Sequence, residues 1–227
     1  MIHISDMFGG NMAEMSPALR KLYDLSGPLV VQALRKRHFD AYYCNTAQDA
    51  RRIVPDLIPR SHSVSWGGSE TIRTLGIPAL LKENGYTLID RDSAASPEER
   101  AALMRQGFSC GTFLMSSNAV TEDGQLFNID GTGNRLAALL FGPESVVVIA
   151  GMNKVVKTLD DAVSRVRNYA SPLNMQRFSG LKTPCAKTGQ CADCVSTDCI
   201  CAYMVTTRIS RPAGKIKVVL VGEPLGF

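Results

Sequence analysis

The run Ser-Val-Val-Val-Ile-Ala at 145–150 limits the fold more than any other stretch. Its three valines, isoleucine and alanine leave no polar face, so a strand made of them is buried on both sides. Such a strand needs a packed layer above and another below, which selects a sheet with helices on both faces. The rest of the chain supplies those layers. Strand-like runs at 39–44, 63–66, 86–90, 111–115 and 215–222 alternate with helical patterns at 46–55, 69–84, 96–107, 134–141 and 159–169. The alternation predicts an α/β protein with a mostly parallel sheet flanked by helices. Helix starts are marked by Ser16, Thr46, Ser69, Ser96 and Thr158, whose side-chain oxygens suit N-caps. Gly27-Pro28 predicts a break between two short helices, and residues 1–15 read as loosely ordered. Residues 1–38 are therefore expected to form an N-terminal helical segment, and 39–227 a single α/β domain.

Ligands of such sheets bind at the C-terminal ends of the strands. The loops after Trp66, Met115 and Ala150 are the expected walls of a site. Two of the glycine-rich turns fall where that edge is expected. Gly67-Gly68-Ser69-Glu70-Thr71 leads from a strand into a helix, with Ser69 and Thr71 as hydroxyl donors. The stretch 116–135, SSNAVTEDGQLFNIDGTGNR, reads as a hairpin turning at Glu122-Asp123-Gly124 and then breaking at Gly131-Thr132-Gly133 before a helix. Backbone N–H groups at such a turn favour anions, and Arg135 adds a fixed fork of donors. Neither turn matches a phosphate-binding loop or a dinucleotide fingerprint. The expected ligand-binding edge is Gly67, Gly68, Ser69, Thr71, Gly131, Gly133, Asn134 and Arg135, holding a small anionic ligand. Glu122 is the one weak candidate for a catalytic carboxylate. Lys154, after the most apolar strand, reads as a solvated side chain. Trp66 and the cysteines at 44 and 110 read as core.

Composition narrows the class of function. A net charge of +4 over 227 residues, without a basic tract interleaved with aromatics, argues against nucleic acid. No apolar run approaches the ~20 residues that a membrane helix needs. The first residues lack the charged and apolar regions of a signal peptide, so a cytoplasmic, reducing location is expected. In that setting clustered cysteines bind metal more often than they form disulfides.

Five of the seven cysteines fall within 185–201, spaced C-x5-C-x2-C-x4-C-x-C. A Cys-x-x-Cys pair with two further thiols supplies four soft ligands to one centre. Cys185, Cys191 and Cys194 are the expected ligands, completed by Cys201, with Cys199 as the alternate. The spacing is neither that of a zinc ribbon nor that of a bacterial ferredoxin. An iron–sulfur cluster, of the 4Fe–4S type, and a structural zinc ion both remain open. The segment at about 183–203 reads as an insertion too short to fold without such a staple.

Three motifs in order, GGSETIRTLG (67–76), SSNAVTEDGQLFNIDGTGNR (116–135) and GMNKVVKTLDDAVSRVRNYASPLN (151–174), resemble the lactate-utilisation (LUD) domain family. That family includes the C subunit of the bacterial lactate-utilisation system; here a C-terminal cysteine cluster is added. The resemblance implies a fold like that of ribose-5-phosphate isomerase, glucosamine-6-phosphate deaminase and CoA-transferases. It also implies redox metabolism of a small, lactate-like organic acid beside iron–sulfur partner subunits. Alternatives are an isomerase- or transferase-like enzyme on a phosphosugar or CoA ester with structural zinc, and a non-catalytic assembly subunit.

Overall fold

The computed structural model describes residues 15–227. The expectation for residues 1–15 thus lies, but for Met15, outside the described residues. In chain order the elements are α1 (Pro17–Lys36), β1 (Asp40–Cys44), α2 (Ala47–Ile53), β2 (Val64–Trp66), α3 (Glu70–Thr74) and α4 (Ile77–Glu83). There follow α5 (Pro97–Gln106), β3 (Thr112–Met115), β4 (Ala119–Thr121), β5 (Leu126–Asp130), α6 (Asn134–Leu140), β6 (Ser145–Gly151) and β7 (Val155–Val156). The last are α7 (Leu159–Arg165), α8 (Ser171–Met175), α9 (Pro184–Thr188), β8 (Tyr203–Thr207) and β9 (Ile216–Val221). A π-helical turn, Val166–Ala170, joins α7 to α8 without a break.

The strands make two sheets. Five parallel strands run in the order β1-β9-β6-β3-β2, with the fully buried β6 at the centre. Successive side chains of a strand point to opposite faces. Accordingly Val146, Val148 and Ala150 pack with Val30, Val31 and Leu34 of α1 and Leu136 and Leu139 of α6. Val147 and Ile149 pack on the other face with Ala50 of α2, Ile72 of α3 and Leu81 of α4. The double burial read from 145–150 is thus the organising fact of the fold. The smaller sheet, β7-β4-β5-β8, carries the hairpin and packs beneath α7 through Ala119, Phe127, Ala162 and Val166.

Several expected boundaries shift. The helix α1 runs unbroken through Gly27-Pro28. An internal proline costs ~3 kcal/mol, but Val30, Val31 and Leu34 lie beyond it and are buried against the sheet. At ~1.5–3 kcal/mol for each fully buried aliphatic side chain, their burial outweighs the break. The helix expected at 69–84 is instead two, divided where Gly76 adopts a left-handed conformation (φ 61°) and Pro78 follows. Residues 86–90 form no strand; Leu88 makes an isolated bridge to Val64. The strand β8 was not expected. It joins the hairpin through antiparallel pairing of Leu126 with Thr207 through to Asp130 with Tyr203.

Candidate functional site

The C-terminal ends of β2, β3 and β6 open onto one cavity of about 350 Å³. Gly68, Ser69, Glu70 and Thr71 follow β2, Ser116, Ser117 and Asn118 follow β3, and Lys154 follows β6. The far end of the hairpin adds Ile129, Asp130, Gly131 and Thr132, then Asn134 and Arg135. The two glycine turns are therefore brought together at the strand ends. Gly67 and Gly133 stand just behind the wall. A Cβ on Gly67 would approach the Arg135 side chain to 3.1 Å, so its missing side chain makes room for that arginine.

The turn before α6 spends two of its amides within the protein. The carboxylate of Asp130 accepts hydrogen bonds from the N–H groups of Thr132 and Gly133, both at 3.1 Å. The anion favoured at that turn is thus the protein's own. Arg135 is likewise engaged. Its Nε donates to Asp130 (3.2 Å), one terminal nitrogen to the Ser116 carbonyl (3.1 Å) and Asn128 Oδ1 (2.9 Å). The other donates to Asn118 Oδ1 (2.9 Å) and the Ile129 carbonyl (2.6 Å). Every N–H of a guanidinium is then used. Arg135 ties the hairpin to the end of β3 and contributes charge to the cavity rather than free donors.

Further cations come from residues that the sequence did not single out. Arg91 is largely buried, and its Nε has no hydrogen-bond partner among the described residues. Its contact with Asp92 is 3.6 Å, too long for a hydrogen bond. Burial, then the neighbouring Arg100, makes the guanidinium less basic than usual. The wall carries Arg91, Arg100, Arg135, Arg177 and Lys154 against the carboxylates Glu70 and Asp130. Asp130 is paired with Arg135, and Glu70 with Arg73 and Arg177. Asp92 also pairs with Arg100 (2.9 Å) and lies 3.6 Å from Arg91, so the guanidinium charge of the wall is only partly offset.

Lys154 is buried, with 3% of its surface exposed, rather than solvated. Its amine donates to Thr71 Oγ1 (3.0 Å) and Ser116 Oγ (2.9 Å). Burial, followed by the charges of Arg165 and Arg135, pushes its pKa down to about 7. Its position directly after the most apolar strand was the available signal. Glu122 is not at this site. It is exposed in the turn at the opposite end of the hairpin, next to Asp123, which pairs with Arg37. The length of the hairpin strands separates Glu122 from the cavity. Trp66 is buried, as are Cys44 and Cys110, whose thiols burial pushes up to about 11.

The remaining five thiols gather around a second, smaller cavity of about 40 Å³, lined by Cys185, Cys191, Cys194, Cys199 and Cys201. Cys185 is held in the first turn of α9, with Sγ 3.3 Å from Thr183 Oγ1. Cys199 Sγ accepts from the Cys201 amide at 3.3 Å. Burial and the nearby sulfurs of Cys199 and Cys185 push the Cys201 thiol up to about 12. Arg167 reaches Cys191 and pairs with Asp193. In identity and grouping the donors fit a thiolate-bound centre. Among the described residues no three His, Cys, Asp or Glu side chains are yet arranged to hold an ion. Neutral thiols do not attract one another, and the deprotonation that accompanies metal binding is what draws them in. The two cavities share Ile129 and Ser171. Gly131 permits this contact, because a Cβ there would lie 2.8 Å from the Ile200 backbone.

No helix among the described residues is long and apolar enough to cross a membrane. No curated protein matches the chain. Among solved structures it is similar to a DUF162 family protein from Deinococcus radiodurans, with 11% identity, 88% of this chain and 98% of that one covered, and a TM-score of 0.53. It is also similar to ribose 5-phosphate isomerase A from Neisseria gonorrhoeae, with 19% identity, 58% and 67% coverage and a TM-score of 0.32. The Methanocaldococcus jannaschii isomerase gives 17%, 59% and 56%, and 0.32. The family model of the LUD domain matches residues 28–221. That span runs from within α1 to the last residue of β9 and takes in both sheets, both cavities and the cysteine segment, so the chain belongs to the LUD domain family.

Proposed function

We propose that this protein binds a small organic acid in the cavity at the strand ends and serves the redox metabolism of lactate-like acids in the cytoplasm. The observation that carries the reading is the set of cations, above all the largely buried Arg91, around a cavity of about 350 Å³. A carboxylate would satisfy that guanidinium as a charge-assisted hydrogen-bond acceptor. Arg100, which pairs with Asp92 at 2.9 Å, adds to the field of the wall. Ser116, Ser117 and Asn118 supply polar groups that orient the rest of the ligand.

The family resemblance and the adjoining thiols add a second component. Cys185, Cys191, Cys194 and Cys201, with Cys199 in reserve, would hold an iron–sulfur cluster beside the acid. Such a cluster supplies one-electron transfer when bound. Arg167 would offset part of the charge of the thiolates. Iron–sulfur partner subunits would pass the electrons on.

Two measurements test the two components separately. Protein purified without oxygen is expected to be brown, to absorb near ~400 nm as thiolate-bound iron–sulfur centres do, and to contain iron and sulfide. A colourless protein with stoichiometric zinc would refute the cluster. Calorimetric titration with L-lactate is expected to show binding that Arg91→Ala weakens roughly tenfold or more, the worth of one charged hydrogen bond. Equal affinity in the variant would remove the acid-binding role of Arg91.

A further inference from the structure

Lys154 is a buried amine whose hydrogen bonds, among the described residues, go only to two hydroxyls. Neither hydroxyl has a proton to give it. Thr71 Oγ1 donates to the Leu225 carbonyl at 3.2 Å, and Ser116 Oγ donates to the Ser117 carbonyl at 3.3 Å. Both oxygens therefore accept from Lys154. An uncharged amine has two N–H bonds and one lone pair. With both N–H bonds committed to hydroxyls, the lone pair is the part of Nζ left over, and Lys154 lines the cavity. No carboxylate is bonded to the amine to hold it protonated. Arg165 and Arg135 are the charged groups that act on it, and both favour the neutral form, placing its pKa at about 7.

We propose that Lys154 is a nucleophile that captures the carbonyl carbon of a 2-oxo acid as an imine. The lone pair forms the C–N bond, and the C–O bond breaks in turn. Both amine hydrogens leave with the carbonyl oxygen as water, so the step consumes no oxidant or reductant. The carboxylate of the same molecule finds its counter-charge at Arg91 on the cavity wall. Hydroxyl protons already tied to carbonyls keep Ser116 and Thr71 from competing for the lone pair. The inference rests on reading the cavity as a small-acid site and adds the class of acid and the atom it bonds to.

The experiment incubates the full-length protein with pyruvate and sodium cyanoborohydride, then maps peptides by mass spectrometry, while calorimetry measures pyruvate binding without reductant. One reduced adduct per chain, on the peptide and residue of Lys154, is the expected result, with the adduct absent from Lys154→Met. Pyruvate binding without an adduct would overturn the imine and leave the acid site standing. No binding at all would overturn both. Adducts spread over other lysines, or undiminished in Lys154→Met, would also overturn the assignment. The peptide map of the unaltered protein decides the matter even where the variant folds poorly.

Discussion

The two cavities that meet at Ile129 and Ser171 are built in opposite ways. The larger is framed by the ends of three parallel strands, and its central arginine uses all five of its donors on the protein. Its shape is set before any ligand arrives. The smaller is lined largely by a segment, 183–203, whose regular structure up to β8 is the five-residue α9. A few bonds tether it, among them Gln176 Nε2 to the Cys185 carbonyl (2.9 Å) and the Lys182 amide to Asp198 (2.8 Å). A site whose central arginine is already fully paired holds its shape and selects a ligand by fit. A segment with few contacts is drawn from the low-stability end of the structure and gains most order from what it binds. The contrast assigns recognition to the sheet edge and ligand-dependent ordering to the cysteines.

The largest expected effect lies in the first cavity. Arg135→Met removes the cation that neutralises largely buried Asp130 and takes one donor from each of Asn118, Asn128, Ser116 and Ile129, although the two asparagine oxygens keep the amides of Ile129 and Asn118. Breaking a buried pair from one side costs ~3–5 kcal/mol. Urea unfolding is expected to show a loss of that size, with or without metal. A loss under ~1 kcal/mol would mean that the edge is not pre-organised and that the contrast fails.

Next comes the join between the cavities. Gly131→Ala would place a Cβ 2.8 Å from the Ile200 Cα, a backbone atom that cannot rotate away. Overpacking of this kind costs ~1–3 kcal/mol. Because 183–203 is weakly tethered, the segment is expected to move rather than the sheet. Limited proteolysis should then cut within 183–203, near the fully exposed Val195, while the global unfolding midpoint changes little. A large shift of the midpoint with no new cleavage would show that the segment is as firmly held as the strands.

The same difference governs what could be read from sequence. The central strand was legible because burial on both faces leaves an uninterrupted apolar run. The caps at Ser16, Thr46, Ser69, Ser96 and Thr158 were legible because each side-chain oxygen bonds to an amide three residues on. The glycine edge followed from the strand ends. Other features depend on partners distant in sequence. Thr207 pairs with Leu126, and nothing in the Tyr-Met-Val-Thr-Thr run names that partner. Pro28 promised a break that packing against the sheet prevented. Arg91 and Lys154 resemble surface cations until the fold surrounds them, and Arg135 looks like a free hand until its five acceptors are counted. The chemical spacing of the cysteines was visible, whereas their present arrangement was not, since spacing says nothing about how tightly a loop is held.

The last test sharpens the comparison most finely, because it isolates one proton. Lys154 has a folded pKa of about 7, against ~10.4 for an unperturbed lysine. Between those values the unfolded chain holds a proton that the folded chain has released. Stability therefore rises with pH across this window, by ~1.4 kcal/mol per unit. Below the window both forms are charged and the full cost of burying the cation is felt; above it both are neutral and the cost is gone. Other groups titrate over the same range, so the measured quantity is the stability of the wild type minus that of Lys154→Met, taken from urea unfolding at several pH values from about 7.5 to 9.5. That difference is expected to climb with pH at the stated slope. A flat difference would mean that Lys154 is charged at its place in the fold. The sheet edge would then hold a permanent cation rather than a neutral amine, and the cavity would bind acids by charge alone.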